Sequence, residues 1–358
     1  MPRKMLYGLA GLVLVIAVVL GAYFIPPTLV NDETDGGKTL SFLNWGDYID
    51  PDLITKFEAE TGVKVIYETF DSNEAMLAKI EQGGSNFDLV VPSDYTISIM
   101  KEKNLLAELD YDQLPNAVNL DPSLLHKEFD PQNAYSVPYF WGTVGILYNT
   151  TMVDEEITSW SQLWDVKYRN DILLSDSARE VVGLALASMG YSQNTTDEGE
   201  LAQAQAQLMA LKPNVKAFLG DEIKMLMVQN EAPLSLVWSG TAAMAMEENE
   251  NLDYVIPEEG SNIWYDNMVI PASARNKTEA HQFINFMLEP ENAAANAEYV
   301  GYSTPNEKAL DFLDPEVRED ERFYPSEATI ETLEVYQYLG VKYTSYYNDI
   351  FLETKISS

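Results

Sequence analysis

An α/β architecture of two lobes with a ligand cleft between them is what the sequence predicts, on three observations. At 358 residues the chain is too long for one ordinary core, while its 46% apolar content suffices to build two. Strand-like and helix-like patterns alternate with short connections from Thr39 onward, which implies a mostly parallel sheet. Aromatic and acidic residues recur just past the strand ends, and the crevice beyond those ends is where such sheets bind ligands.

The elements follow in order. Thr39–Trp45 reads as the first strand. Asp50-Pro51-Asp52 opens a helix, with acid at its start and proline early; Leu53, Ile54 and Phe57 give its apolar face and it stops near Thr61-Gly62. Val63–Phe70 is the second strand, and Asp71-Ser72-Asn73-Glu74 caps a helix that runs through Ile80 to Gly83-Gly84. Phe87–Val91, closed by Pro92, is the third strand. The apolar, aromatic stretch Tyr135–Tyr148 suits extended chain running between lobes. Ser159 caps a helix start whose Trp160 and Trp164, spaced i, i+4, serve packing. Ile172–Ser175 is a strand followed by a helix through Met189; Leu234–Trp238 and Tyr254–Pro257 are further strands, the first leading into a helix at Ser239-Gly240-Thr241. Trp264–Pro271 returns to the first lobe. The expected lobes are 39–143 with 264–310, and 148–260 with 315–358.

Before Thr39, Arg3 and Lys4 precede an uncharged apolar run from Met5 to Ile25. A run of about twenty residues is enough to span a bilayer, and the positive flank stays cytoplasmic. Gly21-Ala22-Tyr23-Phe24-Ile25-Pro26 is a poor cleavage site, and there is no cysteine to carry a lipid. Residues 1–25 are expected to form an uncleaved signal-anchor, with a cleaved signal peptide as the alternative, and 26–38 a linker. The remainder would work at the outer face of a bacterial cytoplasmic membrane or in the periplasmic space.

Charge and composition exclude several classes. With 57 acidic against 22 basic residues the net charge is −35. Nucleic acid and anionic lipid surfaces are poor partners for such a chain, whereas a cation is drawn to it. The absence of cysteine removes disulfides, zinc thiolates and a thiol nucleophile. Only His126 and His281 are present, so a histidine triad or multi-histidine metal site is not expected, and neither is a cofactor.

Three of the six tryptophans lie beside acids or turns: Asn44-Trp45-Gly46-Asp47-Tyr48, Val237-Trp238-Ser239-Gly240 and Ile263-Trp264-Tyr265-Asp266. Each alone reads as a core anchor. The strand–turn reading places Trp45, Asp47 and Tyr48 after the first strand and Ser93 and Tyr95 after the third, on one rim. Asp176, Glu180 and Trp238 face them from the second lobe, and Trp264 and Asp266 come from the returning strand. Aromatic faces attract a cation and cover methylenes, and carboxylates bind ammonium groups through charge-assisted hydrogen bonds. That combination suits a linear polyamine. Asp47 is expected to face solvent or cap the helix at Pro51, and Arg179 to orient Glu180 or another acid.

These residues stand in stretches that resemble the spermidine/putrescine-binding receptors of ABC importers. The likeness runs from Thr39 to about Leu352. Its pieces include Asn44–Tyr48, Thr61–Val65, Tyr67–Glu74, Asp88–Ser93, Ser136–Gly142, Ala178-Arg179-Glu180, Trp264–Asp266 and Gly301–Asn306. The resemblance implies a two-lobed periplasmic-binding-protein fold of type II, with hinge crossovers and the ligand in the interlobe cleft. It implies a receptor that closes on polyamine and delivers it to a membrane permease, with no chemistry of its own; a monomer is expected. By position it makes Trp45, Tyr48, Ser93, Tyr95, Glu180, Trp238, Trp264, Asp266, Tyr302 and Gln337 ligand contacts. One position departs. The family pattern has an acid immediately before Ala-Arg-Glu, and this chain has Ser177; Asp176 could compensate, or the site has one acid fewer.

Two other readings make different demands. An exported hydrolase would use Asp266 and Glu180 as an acid/base pair. The same scaffold retuned for another organic cation, such as choline, would tolerate Ser177. The continuous resemblance favours the polyamine receptor.

Overall fold

In the computed structural model, which describes residues 38–82 and 86–357, the expected alternation begins at once. Strand β1 (Thr39–Trp45) leads to helix α1 (Pro51–Thr61), β2 (Lys64–Phe70), α2 (Asn73–Gln82), β3 (Leu89–Val90) and α3 (Asp94–Glu102). Asp50 caps α1 by accepting from Asp52 N at 2.9 Å, and the helix ends on Gly62 with φ 71°. Asp47 faces solvent and is not the cap. The proposed signal-anchor, the linker up to residue 37 and the Gly83-Gly84 stop lie outside the described residues. Among the described residues no helix is long and apolar enough to cross a membrane.

The chain continues through β4 (Ser136–Asn149), β5 (Ile172–Ser175), α4 (Ala178–Ala187), α5 (Glu198–Leu211), β6 (Val215–Leu219), α6 (Glu222–Val228) and β7 (Leu234–Trp238). Then come α7 (Ser239–Glu248), β8 (Leu252–Val255), β9 (Ile263–Val269), α8 (Lys277–Met287), α9 (Pro290–Val300), α10 (Pro315–Arg318), α11 (Glu327–Ile330) and α12 (Gly340–Ile356). Trp160–Trp164 is a short 3-10 turn closed by a Ser159/Gln162 capping box. Its indoles donate to Gly260 O and Gln207 O at 2.9 Å each, so both tryptophans serve packing, as expected.

The sheet order is β2-β1-β3-β9-β4-β7-β5-β6, with β8 also on β4. Each lobe keeps a parallel core: β1 pairs with β2 and β3, and β5 with β6 and β7. The sheet is nevertheless mixed, which corrects the mostly parallel expectation. Strands β4 and β9 pair antiparallel with each other, and they join each core antiparallel. The cause is their task of leaving one lobe and coming back, which reverses direction without a crossover helix.

β4 belongs to both lobes. Ser136–Thr143 pairs with β9, while Val144–Tyr148 pairs with β7 and Ile146–Asn149 with β8. All 14 of its residues are buried, which explains its unbroken apolar reading. At the switch point three chain segments run side by side. Val144 N donates to Asn262 O at 3.1 Å, Ile263 N to Glu334 O at 3.0 Å, and Glu334 N to Ser261 O at 2.9 Å.

Asp88 ties the first lobe together ahead of β3. It is 1% exposed, and its carboxylate accepts from Ser41 N, Arg275 N, Asn276 N and Asn276 Nδ2 at 2.9–3.0 Å. Asp88→Ala would leave those part-buried donors without this acceptor, each loss worth about 1 kcal/mol. Urea denaturation should therefore show a stability loss of at least about 2 kcal/mol. A variant as stable as the parent would remove Asp88 from this role.

Candidate ligand-binding site

β1 and β3 deliver the first rim. Tyr48 is buried and donates its hydroxyl to Asp266 Oδ2 at 2.8 Å. Its own carbonyl accepts from Tyr139 Oη at 2.8 Å, and its ring packs edge-on against Tyr139 and Phe140, which fixes the approach. Trp45 packs on Phe70 with ring centroids 4.4 Å apart. Ser93 occupies the cap position of α3, and Tyr95 follows in its first turn. Asn73, at the first position of α2, donates through Nδ2 to Ser93 Oγ and Tyr95 Oη at 3.1 Å each, and accepts from Ser93 N at 3.1 Å.

β9 delivers the floor. Trp264 and Asp266 are two residues apart on a strand and so share a face. Two glycines make room for the aromatics above them. A Cβ on Gly142 would stand 2.5 Å from Trp264 Cζ2, and one on Gly240 would overlap the Tyr302 ring. Tyr302 then meets Trp264 edge-to-face at 5.0 Å and 84°, and Tyr48 at 5.5 Å. A continuous aromatic wall runs from Tyr48 through Tyr302 to Trp264.

The second lobe supplies Glu180 from the first turn of α4, where a helix N-terminus favours negative charge. Ser177, in the cap position, donates its hydroxyl to Glu180 Oε2. The Trp238 indole, just ahead of α7, also reaches Glu180 and favours its ionised form. Glu180 and Tyr95 are close enough that the carboxylate helps to raise the tyrosine pKa, after burial and Glu74, so the two rims approach one another here.

The electrostatics are one-sided. Burial pushes the Asp266 carboxyl up to about 6, with the Ser93 and Tyr48 hydroxyls pulling the other way. Burial also raises Glu180, against the pull of Ser177, its own backbone amide, Arg179 and Trp238. No Lys or Arg among the described residues forms an ion pair with either acid. Asp266 Oδ1, Trp264 Nε1 and Trp45 Nε1 are buried with no hydrogen-bond partner. An acceptor and two donors are thus left without a partner among the described residues.

Two expected contacts lie elsewhere. Gln337 is exposed, and its Nε2 donates to Glu128 Oε2 at 3.0 Å, so it bridges the rims outside the aromatic wall. Asp176 is exposed and paired with Lys355 Nζ at 2.6 Å; it turns away from Glu180 and does not replace the acid missing at Ser177. Arg179 is not ion-paired to Glu180. Its guanidinium stacks on Tyr336 at 4.2 Å and Tyr347 at 5.0 Å and donates to Asn194 Oδ1 at 2.8 Å. The sequence reading missed Asn73, which carries only a helix-start signal, and Asp94, which stands unremarked between Ser93 and Tyr95.

Carboxylates raised by burial beside aromatic faces suit a cation, through charge-assisted hydrogen bonds and the attraction of the rings. Comparison with known proteins agrees with a binding role. A sequence model of bacterial extracellular solute-binding proteins matches residues 52–325. The spermidine/putrescine-binding periplasmic protein of Escherichia coli (strain K12) is 42% identical over 324 residues, covering 89% of this chain and 93% of its own. The chain is also similar to a solved structure from Listeria monocytogenes, provisionally named a spermidine/putrescine ABC transporter. That likeness has a TM-score of 0.85 at 58% identity and covers 89% of this chain and 99% of that one. The substrate-binding protein of a Streptococcus pneumoniae spermidine/putrescine ABC transporter superposes with a TM-score of 0.82 at 51% identity, over 89% and 99% of the two chains. Matched along most of its length by the family's model and by full-length relatives, the chain belongs to the bacterial extracellular solute-binding proteins.

Proposed function

We propose that the chain captures a polyamine, spermidine or putrescine, between its two lobes and delivers it to the permease of an ABC importer. One observation carries this reading: burial raises both the Asp266 and the Glu180 carboxyl, and among the described residues no Lys or Arg forms an ion pair with either, Arg179 acting on Glu180 without a salt bridge. A buried carboxylate without a partner is unfavourable, so a ligand that brings ammonium groups favours the closed arrangement. The relatives named for spermidine and putrescine support the choice of cation. The chain is a receptor and not an enzyme, as its relatives are, so the acid/base reading of the two carboxylates is set aside. Polyamine methylenes would lie along Trp45, Trp238, Trp264 and Tyr302, with Tyr48, Ser93 and Tyr95 shaping the rim.

Lobe closure would bend the three segments that meet at Val144, Asn262 and Glu334, with the lobes taken as 39–143 with 264–310 and 148–260 with 315–358. As a family member the protein acts outside the cytoplasm. The apolar N-terminal segment would hold it, as a monomer, at the outer face of the membrane.

Calorimetric titration with putrescine, spermidine, spermine, agmatine and choline tests the ligand. Heat with the first three is expected, and binding of choline alone would overturn the polyamine assignment. Trp264→Leu and Asp266→Asn should each weaken polyamine binding about tenfold or more, one cation contact being lost. Unaltered affinity in both variants would take β9 out of the site. Because Ser177 stands where an acid would add charge, Ser177→Asp should raise the preference for spermidine over putrescine; an unchanged ratio would mean that this position does not set the choice.

The raised Asp266 pKa also has a sign. Its folded value of about 6 lies above the ordinary 3.8, so the ligand-free fold holds this proton more tightly than the unfolded chain does. Its contribution to stability is full below about pH 4 and lost as pH rises through about 6. Asp266→Asn should remove that part of the slope of Tm against pH. Polyamine affinity should run the other way and fall as pH drops through this window. A slope of Tm that is identical in parent and variant would contradict the assignment.

A further inference from the structure

We infer that Asp94 is a positioning residue for the bound cation: its carboxylate stands in for a backbone rung that holds Trp264 and Asp266 against the first rim, and adds negative charge beside them. This rests on the cationic-ligand reading above.

The missing rung is visible in the ladder between β3 and β9. Val90 pairs with Val269, Asn267 N donates to Pro92 O at 3.0 Å, and Ser93 bridges to Asp266. The next amide along β9 is Tyr265 N, between the two site residues. Its partner would come from residue 94 or 95, but there the chain has already turned into α3 and its carbonyls are committed to the helix. Asp94 Oδ2 accepts from Tyr265 N at 3.1 Å, and Oδ1 from Tyr95 N at 2.7 Å. A side chain therefore continues the pairing past the end of the strand. It aims the Trp264–Asp266 segment at the rim that carries Ser93 and Tyr95.

Any short acceptor could take Tyr265 N, so the choice of a carboxylate needs its own account. Asp94 is 1% exposed, and among the described residues it makes no ion pair. Burial pushes it up to about 8; the Tyr265 and Tyr95 amides pull down, Asp266 pushes further up, and Arg179 across the cleft pulls down. The titratable groups that feel its charge besides Asp266 and Arg179 are Tyr95, Tyr265 and Tyr336. Arg179 makes no salt bridge to it; its guanidinium lies on Tyr336 and Tyr347 and donates to Asn194. The charge is thus held in reserve near Asp266. An ammonium group entering the cleft would draw the proton off Asp94, and affinity would rise as pH climbs through about 8.

Asp94→Asn, which keeps an acceptor but not the charge, and Asp94→Ala, which keeps neither, separate the two roles. Hydrogen exchange at the Tyr265 amide of the ligand-free protein reads the rung. Protection should stay within a few-fold in Asp94→Asn and fall at least about tenfold in Asp94→Ala. Wild-type protection in Asp94→Ala would overturn the positioning role. Calorimetry with spermidine at several pH values reads the charge. Asp94→Asn should bind about tenfold more weakly and lose the rise in affinity between about pH 7 and 8.5. An unchanged affinity and profile would overturn the charge role; so would a parent protein whose affinity does not rise over that range, should the variant fail to fold. If the parent binds no polyamine at all, the proposed ligand falls, while the exchange result still decides the rung.

Discussion

Taking a carboxylate out of water without a counter-ion costs several kcal/mol, and Asp266 bears this at 6% exposure, with one oxygen on Tyr48 and no ion pair among the described residues. The surrounding structure is arranged so that the position is tolerable but not comfortable. The Tyr48 ring packs edge-on against Tyr139 and Phe140, and its carbonyl accepts from the Tyr139 hydroxyl. Trp264 shares the face and seals one side against solvent. The glycines opposite are there because anything larger would lift the rings off the floor. The site is built by preventing the protein from satisfying itself.

The same reasoning explains why so much acid surrounds so little base here. A lysine or arginine placed beside Asp266 would make the empty protein more comfortable and compete with the ligand for the same oxygens. Arg179 is the instructive case. It sits next to Glu180 in sequence, yet its charge is spread over two tyrosine rings and amide oxygens. It moderates the local field without occupying the acid.

Much of this was legible in the residues. The strand of β1, the proline-led start of α1, the glycine that ends it and the Ser159 cap are local signals, and local signals survive tertiary context. Trp264 and Asp266 were legible as a pair because strand alternation puts residues two apart on one face. What could not be read was set by partners distant in sequence. The antiparallel course of β4 and β9 follows from a path between lobes that no local pattern records. Asp176 looks like a site acid until Lys355, far down the chain, claims it. Gln337 points to Glu128 for the same kind of reason. Asn73 and Asp94 read as ordinary helix-start residues, and only the neighbouring elements reveal what they hold.

The sharing of β4 between the lobes has a consequence for how the chain must acquire its shape. Its pairings join segments far apart in sequence: Thr143 finds Ile263, and Asn262 in turn finds Glu334. Contacts of such separation form only after long loops have closed, and chains dominated by them fold slowly. The strand that joins β3 to β4 is missing from the sheet until β9 has been made. For a member of a family that acts outside the cytoplasm, slow closure of these loops lengthens the time during which the chain stays unfolded.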